Sequence, residues 1–92
     1  TNSPTVVGAQ AANELLNIKG IKASFVLTDY AGKIFISARS IDDVNVQVIM
    51  EKLGGGGHMN VAGCQMEGTS LIEAIGAVKR TLDTMIEDGE LD

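Results

Sequence analysis

Apolar residues recur every third or fourth position at the start of the chain. Val7, Ala11, Ala12, Leu15 and Ile18 fall on one helical face, Ser3-Pro4 offers a cap and a first-turn proline, and Gly20 stops the run. This spacing predicts a helix over residues 4–19. The period then changes. Residues 21–28 are rich in Ile, Phe, Val, Leu and Thr, Asp29-Tyr30-Ala31-Gly32 has turn composition, and residues 33–40 resume strand character. Gly32 suits the left-handed residue that closes a hairpin loop of three to five residues. On the second strand Ile34, Ile36 and Ala38 share one face, while Phe35, Ser37 and Arg39 share the other.

A second helical pattern covers residues 46–53, with Val46, Ile49, Met50 and Leu53 inward and Asn45 or Asp43 as the cap. Four glycines and His58 follow, then a brief segment at residues 59–62 and a third strand over residues 63–67. Ser70-Leu71-Ile72-Glu73 is a capping box. It launches a long helix with Leu71, Ile75, Val78, Leu82, Met85 and Ile86 on one side, ending near Gly89. The order α-β-β-α-β-α predicts an α/β fold of the α+β kind, a small sheet of about three or more strands covered by helices. Ninety-two residues, 45% of them apolar, allow a single domain over residues 1–92. The chain reads as a domain excised from a longer protein. No apolar run approaches the ~18–20 residues of a membrane span, so no membrane contact is expected of it.

The net charge of −5 is unevenly placed. Five of the twelve acids (Asp83, Glu87, Asp88, Glu90 and Asp92) crowd the last ten residues, leaving seven acids against seven bases before them. A protein that grips long nucleic acid by many phosphates needs a basic face, and this chain has none. A short ligand with one or two phosphates needs only one cation and a few aimed amides. Cys64 is the single cysteine and lies in an apolar stretch without a local base, which reads as a small core residue in a reducing, cytoplasmic setting. One Cys and one His cannot make a dedicated zinc site. Asp42-Asp43 reads as a helix-approach or solvated pair, since no third metal ligand accompanies it.

The feature that asks for chemistry is Gly54-Gly55-Gly56-Gly57-His58. Consecutive glycines can form a concave nest of amides for an anion. If residues 59–62 open a helical turn, its N-terminus aims at the same place. Plain turn geometry is the other reading, and Gly54 is partly explained as the residue past a helix end. The run is no P-loop, because it ends in Gly-His-Met, and no dinucleotide fingerprint, because Met59 and Asn60 stand where glycine is required. His58 reads either as a structural hydrogen-bonded residue or as a donor to a phosphate. Arg39 reads either as a solvated strand end or as a phosphate grip, for which guanidinium is well shaped.

Ser37-Ala38-Arg39-Ser40, followed by Gly54-Gly55-Gly56-Gly57-His58-Met59-Asn60-Val61-Ala62-Gly63, resembles the C-terminal accessory domain of the DHH-family phosphoesterases. That family includes RecJ-type exonucleases, nano-RNases and cyclic-dinucleotide phosphodiesterases. The resemblance covers nearly the whole chain. The stretch from His58 through Met59-Asn60-Val61-Ala62-Gly63-Cys64 to Gln65 is most similar to the membrane-anchored cyclic-di-AMP phosphodiesterases of the GdpP type in Firmicutes. The resemblance implies a division of labour. An N-terminal domain of the same parent chain, with an Asp-His-His triplet, holds two manganese ions, and the accessory domain, expected in the cytoplasm, closes over the cleft. Carried over by position, Arg39 and Ser40 would engage a phosphate of a cyclic or linear adenine dinucleotide. Gly55, Gly56 and Gly57 would offer amides, His58 would contact the phosphate near the metals, and Asn60 would reach base or sugar. No Asp-His-His triplet and no second histidine exist here. The chain alone is therefore expected to hold no cofactor and to hydrolyse nothing. The competing expectation is a non-catalytic module for nucleic-acid ends, as in RecJ-type nucleases or alanyl-tRNA synthetases.

Overall fold

Two hairpins account for most of the sheet. β2 (Ile21–Tyr30) and β3 (Lys33–Ser40) are antiparallel, and Tyr30 pairs with Lys33 across a loop of only Ala31 and Gly32. Both loop residues have positive φ, 56° and 79°, the conformation whose twist matches that of the flanking strands. The loop is thus shorter than the sequence suggests, with Gly32 left-handed as expected. The second hairpin joins β4 (Gly56–His58) to β5 (Val61–Glu67) across Met59-Asn60. Residues 59–62 therefore form a strand turn and the start of a strand, and among the described residues no helix N-terminus faces the glycines.

The computed structural model describes residues 10–17 and 20–91. Over these, five antiparallel strands, of which β1 is Gln10–Asn17, run in the order β1-β2-β3-β5-β4, with α1 (Val46–Lys52) and α2 (Leu71–Glu87) on one face, an α+β fold. The expected first helix is the main correction. Gln10–Asn17 is a strand, β1, paired with β2 from Gln10↔Asp29 to Leu16↔Ala23. Ala11, Ala12 and Leu15 fit a helical stripe as well as an edge strand, and pairing along β2 overrides the local preference. The rest of that expected helix lies outside the described residues.

The helix-covered face carries Ala23, Phe25, Leu27, Ile34, Ile36, Ala38, Ala62 and Cys64. These pack on Val46, Ile49 and Met50 of α1 and on Ala74, Val78, Leu82 and Met85 of α2. The inward stripe of α2 is rotated from the one read in the sequence, because Ala74 is fully buried whereas Ile86 is 42% exposed. Asn45 caps α1, its side chain accepting from Val48 N–H at 3.2 Å, and Ser70 with Glu73 caps α2. Every buried strand residue points toward the helices. Alternation therefore sends the intervening residues to a sheet face that no described helix covers.

Candidate functional site

On that bare face the register sets four strands side by side. Ser24 pairs with Arg39, Arg39 with Val61, and Val61 with His58, so these side chains form one row across β2, β3, β5 and β4. The adjoining row is Val26, Ser37, Gly63 and Gly56. Arg39 and His58 are both exposed. They stand two strand spacings apart, roughly 10 Å between main chains, with Val61 between them. No carboxylate of the described residues pairs with Arg39. Two nitrogen-bearing side chains thus flank Val61 beside a row of small residues (Ser37, Gly63, Gly56), a span suited to an anion of more than one phosphate oxygen.

The four glycines have separate physical reasons. Gly54, at φ 90°, ends α1, and its N–H donates to the Glu51 carbonyl at 3.1 Å. Gly55 N–H donates to the Met50 carbonyl at 2.8 Å. A Cβ there would overlap the Gly63 carbonyl oxygen and the Cys64 side chain. Gly57, at φ 148°, lies so close to β5 that a Cβ would stand 2.5 Å from Ala62 Cα and 2.6 Å from the Val61 oxygen. Gly56 differs. Its φ is ordinary, and a Cβ would meet nothing within 4 Å. The nest read from the sequence is therefore reshaped, since the Gly54 and Gly55 amides cap the helix while Gly56, Gly57 and His58 lie in an edge strand. Alternate amides of such a strand point out of the sheet, away from its partner.

Ser40 and Asn60 are placed elsewhere. Ser40 pairs with buried Ala23 and so faces the helix side, opposite to Arg39. Its hydroxyl donates to the Val44 carbonyl at 2.6 Å and accepts from Asn60 Nδ2 at 2.9 Å. Asn60 Nδ2 also reaches the carbonyls of Val44 at 3.3 Å and Asp42 at 3.5 Å. Ser40 N–H donates to the Asn60 carbonyl at 3.0 Å, and Val46 N–H to that of Met59 at 2.8 Å. This network locks the tip of the β4–β5 hairpin to the end of β3 and the start of α1. Both side chains hold the strands that carry Arg39 and His58, and neither lies in the exposed row.

Among the described residues no three His, Cys, Asp or Glu side chains converge as a metal site would require. No helix there is long and apolar enough to cross a membrane. Cys64 is buried, and burial pushes its thiol above the ordinary range, away from nucleophile behaviour. Sequence reasoning did not single out Val61, Ser24 or Ile41. The signal for Val61 and Ser24 was strand alternation, which needed the β2–β3 register for Ser24 and the β3–β5 register for Val61 before it could be used. A shallow cavity of about 200 Å³ adjoins Arg39, lined among others by Ile21, Lys22, Ser24 and Ile41.

With this geometry established, comparison with known proteins gives a consistent result. The family model described as the DHHA1 domain matches residues 3–87. The chain is 52% identical over 71 residues to the Cyclic-di-AMP phosphodiesterase PdeA of Listeria monocytogenes serotype 1/2a (strain 10403S), covering 76% of this chain and 11% of that protein. It is 44% identical over 86 residues to the Cyclic-di-AMP phosphodiesterase GdpP of Geobacillus thermodenitrificans (strain NG80-2), covering 92% and 13%. Against GdpP of Bacillus subtilis (strain 168) it is 44% identical over 85 residues, covering 91% and 13%. The chain thus spans about a tenth of the length of these relatives.

Proposed function

The chain belongs to the DHHA1 domain family, and from that premise we propose that it is the substrate-holding accessory domain of a DHH-family cyclic-di-AMP phosphodiesterase. The observation that carries this reading is the exposed row in which Arg39 and His58 flank Val61 on a face no described helix covers. Arg39 makes charge-assisted hydrogen bonds to a phosphate of a cyclic or linear adenine dinucleotide. His58 donates to the same phosphate from the other side, and the outward amides of β4 add to the grip. Gly56 leaves room for the ligand to approach the main chain. The likeness to enzymes named for cyclic-di-AMP hydrolysis supports the choice of substrate.

The partner in this reading is an N-terminal DHH domain of the same parent chain, working in the cytoplasm. The residues described here do not fit as holders of a manganese pair, so the two ions would be bound by that partner domain. This chain's contribution is to bind, orient and cover the substrate. Ser40 and Asn60 enter as positioning residues, through the network that ties β3 to the β4–β5 hairpin.

In the full-length enzyme, Arg39→Ala lowers kcat/KM for cyclic-di-AMP by roughly 10- to 150-fold, the worth of one charge-assisted hydrogen bond of ~1.5–3 kcal/mol. His58→Ala has an effect in the same direction and leaves bound manganese unchanged. Unaltered kinetics in both variants would return the row to an ordinary solvated sheet face. Affinity for a dinucleotide exceeding that for a 20-mer oligonucleotide separates this reading from a module for nucleic-acid ends, and the reverse order overturns it.

A further inference from the structure

We infer that the cavity beside Arg39 is a nucleobase subsite whose apolar ledge is made by Ile41, with Ile21 at its rim; this rests on the phosphate-gripping role of Arg39 proposed above. The backbone fixes the ledge. Ile41 follows β3, and its N–H donates to the Lys22 carbonyl at 2.9 Å, which extends the β2–β3 ladder past Ser40. Ile41 lies two residues beyond Arg39, so its side chain stands on the same bare face, about 7 Å along the strand. Ile41 is 57% exposed and Ile21 61% exposed.

Single exposed aliphatic residues are common and carry no message. These two differ in standing at the lip of the same cavity of about 200 Å³ that Arg39 lines. The cavity combines apolar walls with a few convergent polar groups, the usual make-up of a small-molecule site. Ser24, directly opposite Arg39 in register, brings a hydroxyl that can donate or accept at a base edge. Lys22 Nζ is held by Asp42 at 3.2 Å, so it borders the cavity as part of an ion pair.

The occupant follows from what a nucleotide is. A phosphate held by Arg39 carries a ribose and a flat, largely apolar base a few bonds away. Toward β5 and β4 the row is occupied by Val61 and His58. Beyond the end of β3 lies the ledge, where a base face would cover aliphatic surface that water now touches. The guanidinium plane of Arg39 offers a second stacking surface at the same spot.

The experiment uses the full-length enzyme and two competitive probes, inorganic phosphate and 5′-AMP. Ile41→Ser is expected to raise the inhibition constant of 5′-AMP about tenfold, the worth of roughly two buried methylenes, and to leave that of phosphate unchanged. Ile41→Phe is expected to tighten 5′-AMP without tightening phosphate. Arg39→Ala is expected to weaken both probes. If Arg39→Ala weakens both while the Ile41 variants leave 5′-AMP unchanged, the subsite is overturned and the phosphate grip stands. If Ile41→Ser weakens both probes equally, the residue supports Arg39 and contacts no base, which also overturns the inference. If Arg39→Ala weakens neither probe, the phosphate grip itself fails and the subsite falls with it. Thermal melting of each variant separates these results from loss of fold.

Discussion

At the scale of single residues, the glycine run contains two kinds of glycine that substitution will separate. Gly55→Ala puts a Cβ into the Gly63 carbonyl and the Cys64 side chain. Overpacking of this sort costs ~1–3 kcal/mol, and each kcal/mol lowers the melting temperature of so small a domain by ~4–8 °C. Gly56→Ala meets open space at an ordinary φ. Its melting temperature should stay level or rise slightly, since alanine is less costly than glycine in a strand, whereas dinucleotide turnover by the full-length enzyme should fall. Calorimetry and kinetics on the two variants check both halves. Full turnover by Gly56→Ala and by the bulkier Gly56→Val would leave that glycine without a ligand-based reason. The sequence showed that the run asked for an explanation but not which glycine answered to which cause. Close approach of residues 55–57 to β5 accounts for Gly55 and Gly57, and such an approach is a property of two segments at once.

At the scale of elements, α2 depends on its cap. Ser70 Oγ accepts from Glu73 N–H at 3.1 Å, and Glu73 accepts from Ser70 N–H at 2.9 Å. The backbone bond from Ser70 holds the Glu73 carboxyl below its ordinary range, with the Ser70 hydroxyl contributing next. A carboxylate depressed in the folded state stabilises above its unfolded pKa, and that contribution is lost as pH falls through the folded value. Glu73→Gln keeps an acceptor in the capping box but cannot titrate. Wild type should therefore lead this variant in melting temperature at neutral pH, and the gap should close as pH drops below the carboxylate range. A gap that does not change with pH would contradict the assignment. Elements with strong local signals were legible in the sequence. The box at Ser70 to Glu73, the Asn45 cap and the split of Ile34, Ile36 and Ala38 from Arg39 are all present. Gln10–Asn17 was not, because its Ala and Leu spacing suits a helix and only partnership with β2 makes it a strand. β4 was invisible for a related reason, as two glycines and a histidine have little strand preference of their own.

At the scale of the whole molecule, the proposed reading makes this chain one wall of a site, and no three His, Cys, Asp or Glu side chains converge among its described residues. Purified alone with manganese, it should release no product from cyclic-di-AMP, because a two-metal phosphodiester site needs several carboxylate or imidazole ligands around one cleft. Chelator-sensitive turnover by the pure chain would refute this. The sheet order carries a further consequence, in time and not in space. Arg39 sits on β3 and His58 on the far side of β5, so the row exists only once β3 and β5 have paired around α1. That pairing closes the long loop of residues 40–60, whose entropic cost must be met before its contacts form. A nascent chain halted before β5 thus holds both Arg39 and His58 but not the row that sets them side by side, and ligand competence should arrive in a single step, late in folding.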